Sequence, residues 1–219
     1  MLVIHKVWQK ILGMLFPTIC ISCLGYLRTE ESEKMLCGKC FDSIEILEEI
    51  PEAQVHAVGL YSSKPLRDLI HGLKFKRYIK AMDQIEELIQ RYIEKNPNSI
   101  LKKYDLITFI PLHPARQRVR GFNQAELIAK VLGDKLNIEV LPTLKKVKNI
   151  KEQSLIKDYE LRANNVTGCF ELINPILNNK KIILVDDVYT SGATTMEALR
   201  VLNAAENDEI TIFVLAKTS

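Results

Sequence analysis

Apolar positions in this chain change period along its length. Ile182, Ile183, Leu184 and Val185 form an unbroken apolar run of strand length, and Leu106–Pro111, Gln54–Tyr61 and Glu209–Ala216 predict strands of the same kind. Between them the spacing turns helical. Leu66, Leu69, Ile70 and Leu73 line one face of a helix over Pro65–Ala81, and a further helix runs over Ala81–Lys95 and ends before Asn96-Pro97. Another helix starts near Asn123, and one more passes through Leu199 and Leu202. Val140–Lys146 predicts a short strand or edge, and Asp42–Glu52 an acidic helix ending near Pro51. At the start, Val3, Val7, Ile11 and Leu15 lie along one side of a short amphipathic helix over Leu2–Phe16. That side serves packing against the next module, or a membrane surface or partner. Strands alternating with helices predict an α/β fold, a mainly parallel sheet flanked by helices. In such sheets ligands bind outside the C-terminal ends of the strands.

Length and charge narrow this only a little. The 219 residues suit one medium domain with a small accessory module, and a net charge of +3 permits a polyanionic partner without demanding one. No apolar run reaches membrane-spanning length, so no membrane span is expected. The first sixteen residues are interrupted by His5, Lys6, Gln9 and Lys10 and lack a small-residue cleavage site, so no signal peptide is expected either.

The cysteines change the picture more. Cys20-x-x-Cys23 is followed, after thirteen residues, by Cys37-x-x-Cys40. Each tight turn can grip an ion from one side, and two such turns complete a tetrahedron. The Pro17–Phe41 segment is too short for a core of its own, so structural zinc would supply its folding energy. Unliganded cysteines or a redox pair are the alternatives, and the duplication argues against the redox pair. Thiols in this number and arrangement fit a reducing cytoplasm better than disulfides. Four thiolates leave zinc no open position, and so no catalytic role. Cys169 stands apart and reads as a core residue.

Candidate chemistry collects at two strand ends. After Ile182–Val185 come Asp186 and Asp187, then Thr190, Ser191, Gly192, Ala193 and Thr194, opening into a helix. Carboxylates can accept hydrogen bonds from ribose hydroxyls, and a hydroxyl- and Gly-rich loop at a helix start can cradle a phosphate. A polar turn with Ser191 or Thr190 as helix cap explains one acid, and explains two poorly. Neither GxxxxGK[ST] nor GxGxxG occurs. After Leu106–Pro111, Arg116, Arg118 and Arg120 fall on a loop that Gly121 turns into the next helix, a placement that suits a pyrophosphate. The polar side of the Pro65–Ala81 helix carries Arg67, Lys74, Lys76, Arg77 and Lys80 against Asp68 alone, with Lys64 just before it and Phe75 among them. It is either a solvated face or a contact for phosphates or a nucleic-acid backbone, Phe75 being placed for base stacking. Lys145–Asn165 is a charged run that reads as a mobile segment or a solvated loop and helix.

These residues carry a resemblance. Four apolar residues, two acids and a T-[ST]-G-x-T loop resemble the 5-phosphoribosyl-1-pyrophosphate (PRPP) signature of type I phosphoribosyltransferases. Arg120-Gly121-Phe122-Asn123-Gln124, the double CxxC and Leu69-Ile70-x-x-Leu73-Lys74-Phe75 together resemble the ComF family, the competence-associated branch of that fold. The resemblance spans nearly the whole chain. It implies a zinc-ribbon module over residues 1–50 and a phosphoribosyltransferase-like domain over 51–219. It implies that Asp186 and Asp187 hold the ribose hydroxyls, Thr190–Thr194 the 5′-phosphate, and Arg116, Arg118, Arg120 and Gly121 the pyrophosphate, with magnesium. Gln153, Arg162 and Asn165 follow the family pattern in the charged run, Ile156 keeps its apolar position, and Lys148 and Ile150 depart from the usual Arg and Thr. Lys is a point charge where Arg is a fork, so a bidentate contact at 148 is lost. The functional expectation is a cytoplasmic protein that handles single-stranded DNA during natural transformation, with the DNA-uptake machinery and its helicase as partners. Transfer of the phosphoribosyl group to a small nucleophile, or PRPP binding without turnover by a regulator, are the alternatives, and no general base stands out.

Overall fold

The computed structural model describes residues 18–76, 80–148, 166–173, 180–204 and 209–218, without the side chains of 75 and 76. The predicted helix over Leu2–Phe16, Arg77, and the 149–165 part of the charged run lie outside them.

Four strands form one sheet: β1 (Val55–Leu60), β2 (Leu106–Phe109), β5 (Lys181–Tyr189) and β6 (Glu209–Lys217), in the order β1-β6-β5-β2 and parallel throughout. The mainly parallel α/β expectation therefore holds. Ile182, Ile183, Leu184 and Val185 are all buried, which in a strand requires cover on both faces. The edge beyond β2 is extended by Val140, which bridges Ile107 in parallel, with Ile107 N donating to Glu139 O at 2.9 Å and Leu141 N to Ile107 O at 3.0 Å. The predicted edge at 140–146 thus splits in two, because only Leu144–Lys146 (β3) pairs elsewhere, antiparallel with β4 (Phe170–Leu172).

Helices α2 (Lys64–Lys76) and α3 (Ala81–Lys95) follow β1, and α5 (Gln124–Leu136) packs on β2 and β5. The apolar stripe of α2 is fully inside: Leu66, Leu69, Ile70 and Leu73 are at most 1% exposed. Helix α6 (Ala193–Asn203) packs on β4, β5 and β6. Among the described residues no helix is long and apolar enough to cross a membrane.

Two sequence expectations fail locally. Residues 44–50 are not helical; after the five-residue α1 (Gly38–Asp42) the chain runs extended beside β1. Leu47 N donates to Val58 O at 2.9 Å and Glu49 N to Asn96 Oδ1 at 2.8 Å, so tertiary partners replace the helical ones. The arginines at 116, 118 and 120 lie on a helix, α4 (Pro114–Arg120), rather than a loop. His113 caps its start, accepting from Ala115 N through Nδ1 at 3.2 Å, Pro114 occupies the first turn, and Gly121 at φ 89° ends it.

The cysteine segment is docked on α3 rather than hanging free. Gln84, 3% exposed, accepts from Met35 N at 2.8 Å and Leu36 N at 2.9 Å and donates to Leu36 O at 3.1 Å. Arg91 lies over the Phe41 ring at 4.6 Å and donates to Asp42 at 3.0 Å. Gln84→Ala strands these backbone groups in a dry interface and is expected to lower unfolding free energy by about 2–4 kcal/mol in a urea titration. A loss under about 1 kcal/mol would show that water takes over the bonds.

Candidate functional site

The two carboxylates sit inside β5, not after it, because β6 keeps pairing beyond the apolar run: Asp186 aligns with Val214 and Tyr189 with Lys217. Ladder geometry therefore holds the acids at the C-terminal end of a strand flanked on both sides. Asp187 is 7% exposed and meets Lys74 of α2, with Nζ 3.0 Å from Oδ2 and 3.3 Å from Oδ1. Asp186 accepts from Asp187 N at 2.8 Å. Burial first, then the charge of Asp187, pushes Asp186 up to about 7, against the pull of Lys74 and Lys146. Burial works against the charge of Lys74, yet Asp187 and Asp186 hold its pKa above the ordinary value.

The loop after β5 is shaped by Gly192 at φ 73°. The positive φ disfavours any residue with a side chain, and a Cβ there would lie 2.5 Å from Tyr189 Oη, so the tyrosine would have to shift. Thr195 Oγ1 donates to Gly192 O at 2.9 Å and closes the first turn of α6. Thr190 is exposed, Thr194 is half-buried, and Gly192 and Ala193 are buried. Ser191 Oγ is buried with no hydrogen-bond partner among the described residues, and the same holds for Gln124 Nε2 at the start of α5. Each orphaned group stands at the start of a helix, where the first-turn N–H groups have no partner within the helix.

The cations of α4 divide. Arg116 and Arg120 are one turn apart and half-buried; Arg116 acts on Lys146 and Arg120 on Lys74 through their charges. Arg118, half a turn round the helix, is exposed. Lys146 of β3 is a member of the group that the sequence reading missed. Its signal was the strand period: Lys146 shares a face with buried Leu144, while Lys145 alternates outward.

The basic side of α2 is dispersed as well. Lys64 Nζ bonds Asp68 at 2.6 Å and reaches Ser22 O and Ser22 Oγ in the first cysteine turn. Lys80 pairs with Glu33. Arg67 lies 5.9 Å over the Tyr61 ring and donates to Tyr61 O, and Tyr61 Oη meets His71 Nε2 at 2.9 Å. Of the candidate nucleic-acid residues, Lys74 thus faces the carboxylates and Arg67 the end of β1.

The four cysteines converge. The sulfurs of Cys20, Cys23, Cys37 and Cys40 all lie within 4.8 Å of one another, with Cys23 and Cys37 at 3.8 Å. Zinc–sulfur bonds of about 2.3 Å in a tetrahedron demand sulfur–sulfur edges of about 3.8 Å, so the cluster could hold zinc. Burial opposes ionisation of Cys20, but backbone N–H groups of Cys23, Cys37 and Ser22 bring its thiol to about 7. Burial and the other sulfurs push Cys40 up to about 12. A central cation removes that conflict. Glu31 steadies the second turn by accepting from Gly38 N at 2.7 Å. Cys169 is buried, 0% exposed, as a core residue.

The raised Asp186 has a consequence for stability. Unfolded, the carboxyl titrates near about 4; folded, it titrates at about 7. Between these values the native state binds the extra proton, so its contribution to stability falls as pH rises through that window. Melting of the ligand-free protein is expected to show this decline between about pH 4 and 7, and Asp186→Asn to flatten it and raise Tm at pH 8.

No protein-family model matches the chain. It is 28% identical over 187 residues to Competence protein F of Haemophilus influenzae, covering 83% of this chain and 78% of that protein. It is 26% identical over 184 residues to DNA utilization protein YhgH of Escherichia coli, with the same coverage of 83% and 78%. Competence protein ComFC of Streptococcus pneumoniae is 33% identical over 119 residues, or 53% of this chain and 51% of that one. Among solved structures, adenine phosphoribosyltransferase from Thermoanaerobacter pseudethanolicus aligns over 82% of this chain and 98% of its own at 15% identity and TM-score 0.40. Leishmania donovani UMP synthase aligns over 68% and 24% at 18% identity and TM-score 0.39. The strand order, not these loose superpositions, carries the fold. The chain is a homologue of the proteins named competence protein F, ComFC and DNA utilization protein YhgH, in line with the resemblance that its double CxxC and RGFNQ motifs carry.

Proposed function

We propose that this protein binds PRPP at the C-terminal end of β5 and acts in the handling of single-stranded DNA during natural transformation. One observation carries the binding half: two adjacent carboxylates, followed within β5 and its next turn by a Gly-containing loop that opens a helix, are met by Lys74 and act together with Lys146, while Arg116 and Arg120 of α4 act on those two lysines. Carboxylates among surplus cations suit a ligand that is a polyol at one point and a polyanion at others. Asp186 and Asp187 take the ribose hydroxyls. The N–H groups and hydroxyls of Thr190–Thr194, with the unpartnered Ser191 Oγ, take the 5′-phosphate. Arg116, Arg120 and the turn at Gly121 take the pyrophosphate, and Arg118, on the exposed side of α4, stays outside that set. Magnesium arrives with the ligand and neutralises pyrophosphate charge. Should turnover occur, it is displacement at the anomeric carbon, with this cationic wall stabilising the departing pyrophosphate.

The DNA half draws its support from the names of the relatives, which speak of competence and DNA utilization. Arg67, Lys76 and Arg77 remain the candidate contacts, since Lys64 and Lys80 are paired to the cysteine module and its surroundings. Zinc at Cys20, Cys23, Cys37 and Cys40 holds that module in its docked form.

Calorimetry with Mg-PRPP tests the central claim. Wild type is expected to bind, and Asp186→Ala and Asp187→Ala to lose tenfold or more, about 1.4 kcal/mol. No binding, or binding indifferent to both changes, sinks it. A pyrophosphate-release screen over small nucleophiles then separates a transferase from a PRPP-responsive regulator. For DNA, anisotropy of a labelled single strand is expected to weaken with salt and with Arg67→Glu, Lys76→Glu and Arg77→Glu combined; affinity indifferent to both counts against the contact. Elemental analysis is expected to find one zinc per chain, lost in Cys37→Ser together with the cooperative melting of the cysteine module.

A further inference from the structure

The first cysteine turn has an inner and an outer side. Cys20 N donates to Gly25 O at 2.8 Å and Leu27 N to Thr18 O at 2.9 Å, so Ile19 and Tyr26 face each other across a short antiparallel bridge. Bonds on either side of such a pair, with none within it, are the arrangement in which the two side chains lie closest on one face. Cys20, the next residue, alternates to the opposite side and is buried. The outer side is apolar. Ile19 is 46% exposed and Tyr26 76%, and Leu24, at the tip of the turn, is 69% exposed. Leu24 also has a φ of 61°, in the left-handed region that suits glycine or asparagine. The turn needs that conformation, since Leu24 N donates to Cys20 O at 3.0 Å, but it does not need a leucine. Outliers of this kind persist where a contact uses them, and clustered exposed apolar side chains mark a docking surface.

The chain just before this face supplies a cover of matching chemistry. Val3, Val7, Ile11 and Leu15 recur at helical spacing, with Ile4, Trp8 and Met14 on the same arc and His5, Lys6, Gln9 and Lys10 on the other. Thr18 is the first described residue, and its carbonyl is already fixed in the bridge. Leu15 stands four residues from Ile19, so chain geometry keeps the two within about 14 Å. So short a tether holds the segment beside the face at a roughly millimolar effective concentration, ahead of any partner that must arrive by diffusion. Both surfaces are apolar where they would meet, and contact removes both from water.

We infer that residues 2–16 dock by their apolar arc on the face formed by Ile19, Leu24 and Tyr26, capping the first cysteine turn on the side away from Cys20. The surface does not depend on the PRPP reading. Gln84 of α3 grips the cysteine module at Met35 and Leu36, and the docked segment grips it at its first turn.

Trp8 is the single tryptophan of the chain, so its fluorescence reports on the segment in the full-length protein. In dilute, zinc-replete solution Trp8 is expected to emit at shorter wavelength, and to resist acrylamide quenching better, than in the same chain unfolded in urea. Val7→Asp, on the apolar arc, and Tyr26→Asp, on the face, are each expected to remove most of that protection, and Gln9→Asp, on the polar arc, to leave it. A benzoylphenylalanine photocrosslinker in place of Tyr26 is expected to join residues 2–16 of its own chain. Trp8 as accessible in the folded chain as in urea overturns the inference. Protection that Val7→Asp removes and Tyr26→Asp spares, with crosslinks elsewhere or none, overturns the assignment to this face. Protection that grows with protein concentration, with crosslinks between chains, replaces the chain's own segment with a second copy. Protection that appears only with anionic phospholipid vesicles assigns the arc to a lipid surface and overturns the docking. Should Tyr26→Asp unfold the module, the crosslinker, which keeps an aromatic ring at that position, decides.

Discussion

Two carboxylates side by side in a flanked strand cannot both stay charged without help, and much of the described structure is arranged around that constraint. Asp186 and Asp187 project from β5 where β6 still pairs beside it, so neither can move away from the other without breaking the ladder. Their mutual repulsion is met from outside the sheet, by Lys74 from the end of α2 and Lys146 from β3. Elements distant in sequence therefore act on the same acid pair, and the apolar packing of α2 on the sheet positions Lys74.

The same helix that delivers Lys74 to the carboxylates starts at the cysteine module. Lys64, at its first residue, is bonded to Ser22 between Cys20 and Cys23, and Lys74 lies near its last. Basic residues that look like one charged surface in the sequence thus serve as joints inside the molecule. This is why net charge alone says little about a nucleic-acid partner.

Two buried polar groups at helix starts, Ser191 Oγ and Gln124 Nε2, are left without hydrogen-bond partners among the described residues. Native proteins rarely leave such groups unmet unless water or a ligand completes them.

Much was legible in the sequence because it is local. The apolar runs of β1, β2, β5 and β6, the stripe of α2, the helix start at Asn123 and the paired cysteines each follow from spacing within a few residues, and the chemistry of Asp186–Thr194 lies in one continuous stretch. The 44–50 segment and the arginine helix were not legible. The first trades helical bonds for Val58 and Asn96, and the second is started by a His113 cap that local propensity does not announce. Tertiary structure alone decided which charges meet the acid pair. Lys146 and Lys74 are separated from Asp186 by long stretches of chain, Arg118 is exposed while Arg116 and Arg120 are half-buried, and Lys64 is drawn to the cysteine turn. A residue's type and spacing set what it can do, but the direction in which a charge points depends on strand pairing and helix docking, and those are settled by burial across the whole core.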